Sequence, residues 1–121
     1  MHELSIANSI FNIVLEEKNS KNLPEIKAIG LKIGAISGIL PEALEFGFDA
    51  IKKETALANT KLEIVEIPVT GICNSCNTNF PVVDYVFACP QCQSTSVTID
   101  QGQEMDIAYL EIEDELEQVN E

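Results

Sequence analysis

The sequence predicts an α+β fold: two helices on a small three-stranded sheet, with a compact cysteine-bearing insert ahead of the last strand. Three observations predict it. Apolar residues recur three and four positions apart in two stretches of the first half, short apolar runs of strand length lie at 25–34, 61–68 and 104–113, and one polar segment from Gly71 to about Gly102 holds all four cysteines.

Taken in order, Leu4, Ala7, Ile10, Phe11, Val14 and Leu15 have the period of an amphipathic helix from Leu4 to Glu17, with Glu3 at its positive end. The Asn, Ser and Pro of "KNSKNLP" predict a loop. In "EIKAIGLKIG", Ile29, Leu31 and Ile33 alternate with Gly30 and Lys32, which is a strand pattern; Gly34, Ser37 and Gly38 then make a flexible connection. "PEALEFGFDAIKK" opens on Pro41, suited to a first helical turn, and lines up Leu44, Phe48 and Ile51 on one face. "KLEIVEIP" is a second strand closed by Pro68, because proline cannot donate to a sheet ladder. "EMDIAYLEIE" is the third, followed by the acidic run "DELEQVNE". The expected organisation is 1–70 plus 103–115 as an α/β domain, 71–102 as a module of short hairpin-like pieces, and 116–121 as an acidic tail.

Composition narrows the function. Twenty acidic residues against seven lysines give a net charge of −13, and beyond Lys61 there is no Lys, Arg or His. Nucleic-acid binding needs a basic face to displace counterions from phosphates, so polyanionic partners are not expected. No apolar run approaches the roughly 20 residues of a membrane helix, and the N-terminus lacks a basic signal-peptide region; no membrane association and a cytoplasmic location are expected. With one histidine and no G-x-x-x-x-G-K, G-x-S-x-G or H-E-x-x-H, the chain assembles none of the common phosphate-binding, hydrolase or metalloprotease sites. No catalytic residue is assigned, and the protein is not expected to be an enzyme.

The cysteines supply the specific signal. Cys73 and Cys76 form one C-x-x-C pair and Cys89 and Cys92 a second, with twelve residues between the inner members. Two facing turns of this kind direct four thiolates at one ion, a closed tetrahedral site of the zinc-ribbon type with no open position for catalysis. The metal would contribute the folding energy that so polar a segment cannot gain from burial. Rubredoxin-like iron is the competing metal. The glycine that commonly follows the second cysteine of an iron knuckle is here Asn77 or Gln93, and Gln adopts the left-handed conformation less readily, which favours zinc.

"MHELS" at the N-terminus, "LKIGAISGI" on a strand and its loop, and C-x2-C-x12-C-x2-C before a final strand together resemble the HypA/HybF family of nickel metallochaperones for nickel–iron hydrogenase maturation. The resemblance covers the chain apart from the acidic tail. It implies Ni(II) at Met1, His2 and Glu3, and Zn(II) at Cys73, Cys76, Cys89 and Cys92. It also implies exchange with a GTPase nickel-insertion accessory protein and the hydrogenase large subunit, with urease accessory proteins as further candidates.

The chemistry of the first residues is compatible with that implication. The Met1 amine, the His2 backbone amide and the His2 imidazole can close two fused chelate rings around one ion, matching the tetragonal preference of Ni(II) and Cu(II). Retention of the start methionine is expected, since its removal generally requires a small second residue. Glu3 has two readings, nickel neighbour or helix-dipole carboxylate. Some relatives have a further histidine that this chain lacks, which leaves Glu3, Glu42, water or a partner's group as the fourth ligand. The rival reading of the whole chain is a zinc-ribbon protein-interaction adaptor without nickel transfer.

Overall fold

The computed structural model describes residues 2–113, the His2 side chain excepted; Met1 and the acidic tail lie outside the described residues. The elements are α1 (His2–Ser20), β1 (Ile26–Gly34), α2 (Pro41–Lys52), β2 (Lys61–Ile67), β3 (Thr70–Cys73), β4 (Asn79–Pro81), β5 (Val97–Gln101) and β6 (Met105–Ile112). They form two three-stranded sheets, ordered β2-β1-β6 and β4-β3-β5. Two helices and the first sheet are the expected α+β core, and the second sheet carries both C-x-x-C pairs.

Backbone bonds set the strand directions of the first sheet. The Ala35 amide donates to the Ile67 carbonyl, and the Thr60 hydroxyl donates to the Ile26 carbonyl, so numbering rises together along β1 and β2. A parallel pair needs a crossover, and α2 provides it. Between β1 and β6 the bonds are Gly34 amide to Glu104 carbonyl and Glu113 amide to Glu25 carbonyl, so those strands run antiparallel.

The chain divides into two compact units. Among the described residues, one comprises those up to Leu31, Ile39–Ile64 and those from Ile107 onward; the other comprises Lys32–Gly38 and Val65–Asp106. In the first unit, Ala7, Ile10 and Val14 of α1 are buried, as are Leu44 and Phe48 of α2 and Ile26, Ile29 and Leu31 of β1. Each large apolar side chain so buried contributes about 1.5–3 kcal/mol. The helices approach closely at Gly47, where an added Cβ would lie 3.4 Å from the Leu4 side chain and 3.6 Å from Ala7.

Two sequence expectations are corrected in α1. The helix continues through Lys18, Asn19 and Ser20 of the expected loop. It ends in a paired cap: the Leu23 amide donates to the Lys18 carbonyl and the Asn22 amide to Asn19, with Asn22 at φ 53°. Asn tolerates this left-handed position, which satisfies carbonyls that a fraying end would leave open. Leu4, placed on the buried face by its spacing, is half exposed because it sits on the first turn.

β1 is central, and it is buried along its length except at Lys27 and Lys32. Gly30 lies under the ring of Tyr109 of β6; a Cβ there would overlap the ring, 2.1 Å from its Cε2 atom. The Tyr109 hydroxyl reaches on to the Glu63 carboxylate of β2, and that acceptor raises the Tyr109 pKa above its ordinary value. Gly34 has an equally strict reason: a Cβ would stand 2.0 Å from the Gly102 carbonyl oxygen.

Candidate metal centre

The second unit builds its cysteine site from two copies of one turn. In the first, the Cys73 amide donates to the Thr78 carbonyl at 2.9 Å and the Asn77 amide to the Cys73 carbonyl at 2.8 Å. In the second, the Cys89 amide donates to Ser94 at 2.9 Å and the Gln93 amide to Cys89 at 2.8 Å. Both turns close through a left-handed residue, with Asn77 and Gln93 each at φ 66°. Gln93 therefore adopts the conformation that its residue type disfavours, and the lack of glycine does not by itself separate zinc from iron.

Each turn aims its amides at its own first sulfur. Cys73 Sγ accepts from the amides of Ser75 at 3.3 Å and Cys76 at 3.4 Å, and Cys89 Sγ from Gln91 at 3.3 Å and Cys92 at 3.5 Å. β3 is the middle strand: Gly71 pairs with Phe80 of β4 and Ile99 of β5, while Cys73 lies opposite Val97. The unit's buried cluster is Cys73, Phe80 and Cys89, packed against Val82 and Val97. Cys73 and Cys89 are thus buried, and Cys76 and Cys92 exposed.

All four sulfurs converge, with every ligand atom within 4.8 Å of the others. Cys73 and Cys92 are 3.5 Å apart and Cys76 and Cys89 3.6 Å. A disulfide would require about 2.05 Å. A tetrahedral metal with bonds of about 2.3 Å to sulfur requires sulfur separations of about 3.8 Å, close to those found. The donor set therefore fits a metal such as Zn(II), and no water or substrate position is left among the four thiolates.

Electrostatics favour a cation at this point. The Cys76 amide, ahead of the opposing effect of burial, and then the Ser75 amide draw the Cys73 thiol down to about 6. Burial opposes ionisation of Cys89, but the amides of Cys92 and Gln91 and the neighbouring sulfurs together lower its pKa. Cys92 goes the other way. The Ser94 amide favours its thiolate, yet the adjacent Cys73, Cys76 and Cys89 sulfurs, with burial, push it up to about 12. Near neutral pH Cys73 is ionised while Cys92 keeps a proton that a bound cation must displace. Association of Zn(II) or Co(II) with apoprotein should therefore strengthen about tenfold per pH unit or more from pH 7 to 9, and more steeply through the Cys73 range near 6. Competition titrations at fixed ionic strength measure that slope, and a flat profile would contradict the assignment.

Hydrogen bonds around the sulfurs involve residues that spacing alone did not single out. The Asn74 side chain donates to Ser96 Oγ at 3.2 Å and accepts from Thr98 Oγ1 at 3.0 Å. Ser75 and Ser94 join one turn to the other through their hydroxyls at 3.2 Å. The available signal was the shared offset: Thr78 and Ser94 each follow the second cysteine of their pair by two residues.

At the other end of the sequence, His2 opens α1 and Glu3 lies in its first turn. Glu3 Oε2 accepts from the Leu40 amide at 3.2 Å. Leu40 is the N-cap of α2 and makes no side-chain cap bond, with Pro41 next. In a capping box a Glu three residues into the helix would take that amide; the residue there is Ala43, and Glu3 of α1 serves instead. This gives Glu3 a definite helix-capping contact across 37 residues of sequence. Glu42 is exposed in the first turn of α2. Among the described residues, no helix is long and apolar enough to cross a membrane.

A two-helix α+β unit and four converging cysteines on a separate small sheet define a protein with a metal-binding cysteine cluster. The comparisons narrow the class. Residues 1–112 match the HypA family model, described as hydrogenase/urease nickel incorporation, metallochaperone. The chain is 40% identical over 117 residues to the hydrogenase maturation factor HypA of Roseiflexus sp. (95% of this chain, 94% of the relative). It is 42% identical over 115 residues to that of Pelodictyon phaeoclathratiforme (95% and 98%). Among solved structures, the solution structure of the nickel metallochaperone HypA from Helicobacter pylori aligns with TM-score 0.65 at 26% identity, covering 91% of this chain and 96% of that one. A solution structure of HypA protein aligns with TM-score 0.71 at 28% identity, covering 93% and 96%. The chain belongs to the HypA family, a family of metallochaperones rather than enzymes.

Proposed function

We propose that the protein carries Ni(II) on its N-terminal residues and delivers it during maturation of nickel–iron hydrogenase, while Zn(II) bound by Cys73, Cys76, Cys89 and Cys92 maintains the unit presented to partners. The observation that carries this reading is the family match beginning at residue 1, which takes in the Met1, His2 and Glu3 triplet. The Met1 amine, the His2 amide and the His2 imidazole supply three nitrogens for the cargo ion. Glu3 supports them by tying the first turn of α1 to the N-cap of α2. A site completed by water, a carboxylate or a partner's group suits a carrier, because the open position is where exchange with an acceptor begins. The expected partners are a GTPase nickel-insertion accessory protein and the hydrogenase large subunit, with urease accessory proteins as further candidates.

Zn(II) would supply cross-linking of the two cysteine turns and no Lewis-acid reaction, since the thiolates close its coordination. The chain's own groups do the rest: amides of the turns neutralise Cys73 and Cys89, and the hydroxyl network fixes one turn against the other. Nickel titration of the zinc-loaded protein beside His2→Ala tests the carrier reading. Loss of a ligand should exceed the roughly 10–100-fold cost of disturbing a group behind one, so His2→Ala should bind Ni(II) at least about 100-fold more weakly. Affinity of the wild type should also fall as pH drops from about 8 to 6, where amine and imidazole take up protons. Equal affinity in the two proteins would refute the site.

A further inference from the structure

Between the two cysteine pairs, the second unit displays side chains that a fold ordinarily buries. Val83 is 62% exposed, Tyr85 73% and Val86 59%, three large apolar residues within one short stretch. The Val86 amide donates to the Val83 carbonyl at 3.1 Å, closing a turn whose central residues, Asp84 and Tyr85, are both left-handed at φ 57° and 61°. That conformation is strained for a side chain as bulky as tyrosine, and Tyr85 gains no burial in exchange. The turn is held from both sides. The Val82 amide donates to the Val69 carbonyl at 2.9 Å, and the chain beyond Val86 soon reaches Cys89, a buried member of the metal centre. Beside the turn lies a cavity of about 180 Å³ lined by Ala35, Ile36, Val69, Val82, Asp84 and Tyr85.

A strained turn that displays hydrocarbon recovers its cost when another molecule buries that hydrocarbon, and apolar clusters set in polar surroundings mark such contacts. Charge selects the occupant. The second unit carries Glu66, Asp84, Asp100, Glu104 and Asp106 against Lys32 alone, and Asp84 is exposed in the turn itself. An anionic membrane surface, or a second copy of this chain at net charge −13, would be repelled, whereas a basic protein surface is attracted. We propose that the Val83–Val86 turn is a docking knob for a partner protein with an apolar recess for the Tyr85 ring, edged by Arg or Lys that meets Asp84. The cavity beside the turn accepts an apolar side chain from the same partner. Tyrosine suits the central place, because large, rigid, amphipathic rings carry much of the energy of protein contacts. The inference rests on the carrier reading above, whose proposed partners are the proteins to be docked.

The test measures binding kinetics of the zinc-loaded full chain with the GTPase accessory protein and with the hydrogenase large subunit, for the wild type, Tyr85→Gly and Asp84→Asn. Glycine takes a left-handed position without strain, so Tyr85→Gly should melt no lower than the wild type. It should nevertheless bind the partner about tenfold or more weakly, through faster dissociation. A merely structural role for Tyr85 would move stability and binding in the same direction. Asp84→Asn should slow association and reduce its dependence on salt, with dissociation nearly unchanged. Wild-type binding that Tyr85→Gly leaves intact would overturn this inference alone. A wild type that binds neither protein refutes the partner reading and this inference with it. Binding to vesicles of phosphatidylcholine and phosphatidylglycerol, or dimerisation, that Tyr85→Gly abolishes would assign the turn to a membrane or to a second copy and overturn the inference as well.

Discussion

Stripping the metal from the cysteine site should unfold β3, β4 and β5 while α1 and α2 stay helical. The physical reason is the composition of the core beneath that sheet. Of its three buried residues, Cys73 and Cys89 are themselves ligands, and only Phe80, with Val82 and Val97 alongside, is ordinary hydrocarbon. Burial on that scale amounts to a few side chains at about 1.5–3 kcal/mol each, far below the about 1–2 kcal/mol per residue that ordering the backbone costs over such a segment. A structural zinc site contributes about 10–16 kcal/mol of apparent binding free energy, which reverses the balance. The helical unit has its own core in Ile29, Leu31, Leu44 and Phe48 and does not depend on the metal in this way. Amide spectra before and after treatment with a strong chelator would show signals of Thr70–Cys73 and Val97–Gln101 collapsing to random-coil positions. Retained dispersion there in metal-free protein would contradict the account.

Phe48→Ala should be the most damaging single truncation in the helical unit. Phe48 is fully buried on α2, its ring centroid is 6.5 Å from that of Phe11 of α1 at 59°, and the Lys52 ammonium lies 5.8 Å from the same ring. Truncation removes the transfer energy of a large ring and leaves a cavity where the helices meet, a combined cost of about 3–5 kcal/mol. Against a total stability of about 5–15 kcal/mol for a domain, that is enough to populate the unfolded form under mild conditions. Urea denaturation followed by far-ultraviolet circular dichroism should show the midpoint falling with little change in slope. A midpoint within experimental error of the wild type would show that α2 is not seated as described.

Much of this architecture was readable because local patterns and the tertiary fold agree. The face of α2 shows in the spacing of Leu44 and Phe48, and β1 in the run from Ile26 to Gly34. The cysteine cluster was legible for a stronger reason: two C-x-x-C turns have few other uses. What escaped notice depends on contacts between residues distant in sequence. Nothing near Glu3 announces that its carboxylate meets the Leu40 amide, and the signal, an N-cap without its own side-chain bond, is recognisable only once α2 is in place. Gly30 looked like one polar-side position in an alternating strand, although it is the bed of the Tyr109 ring from β6. The extension of α1 to Ser20 was hidden in a stretch that composition marks as loop, because Asn22 caps the helix from within that stretch. Thr78 carries no local signal, because one hydroxyl among many polar residues says nothing until its distance to Cys76 is known.

The central claim is that nickel is held by the first residues through their order along the chain, not by a general affinity of an acidic protein for cations. Isothermal titration of Ni(II) into the zinc-loaded protein and into the same protein carrying one added glycine before Met1 tests it most directly. The added residue keeps His2, Glu3 and the acidic charge, but it replaces the Met1 amine by an amide and changes the chelate rings. One high-affinity nickel per chain is expected in the wild type, with loss of that class of site in the extended protein. The same stoichiometry and affinity in both would contradict it.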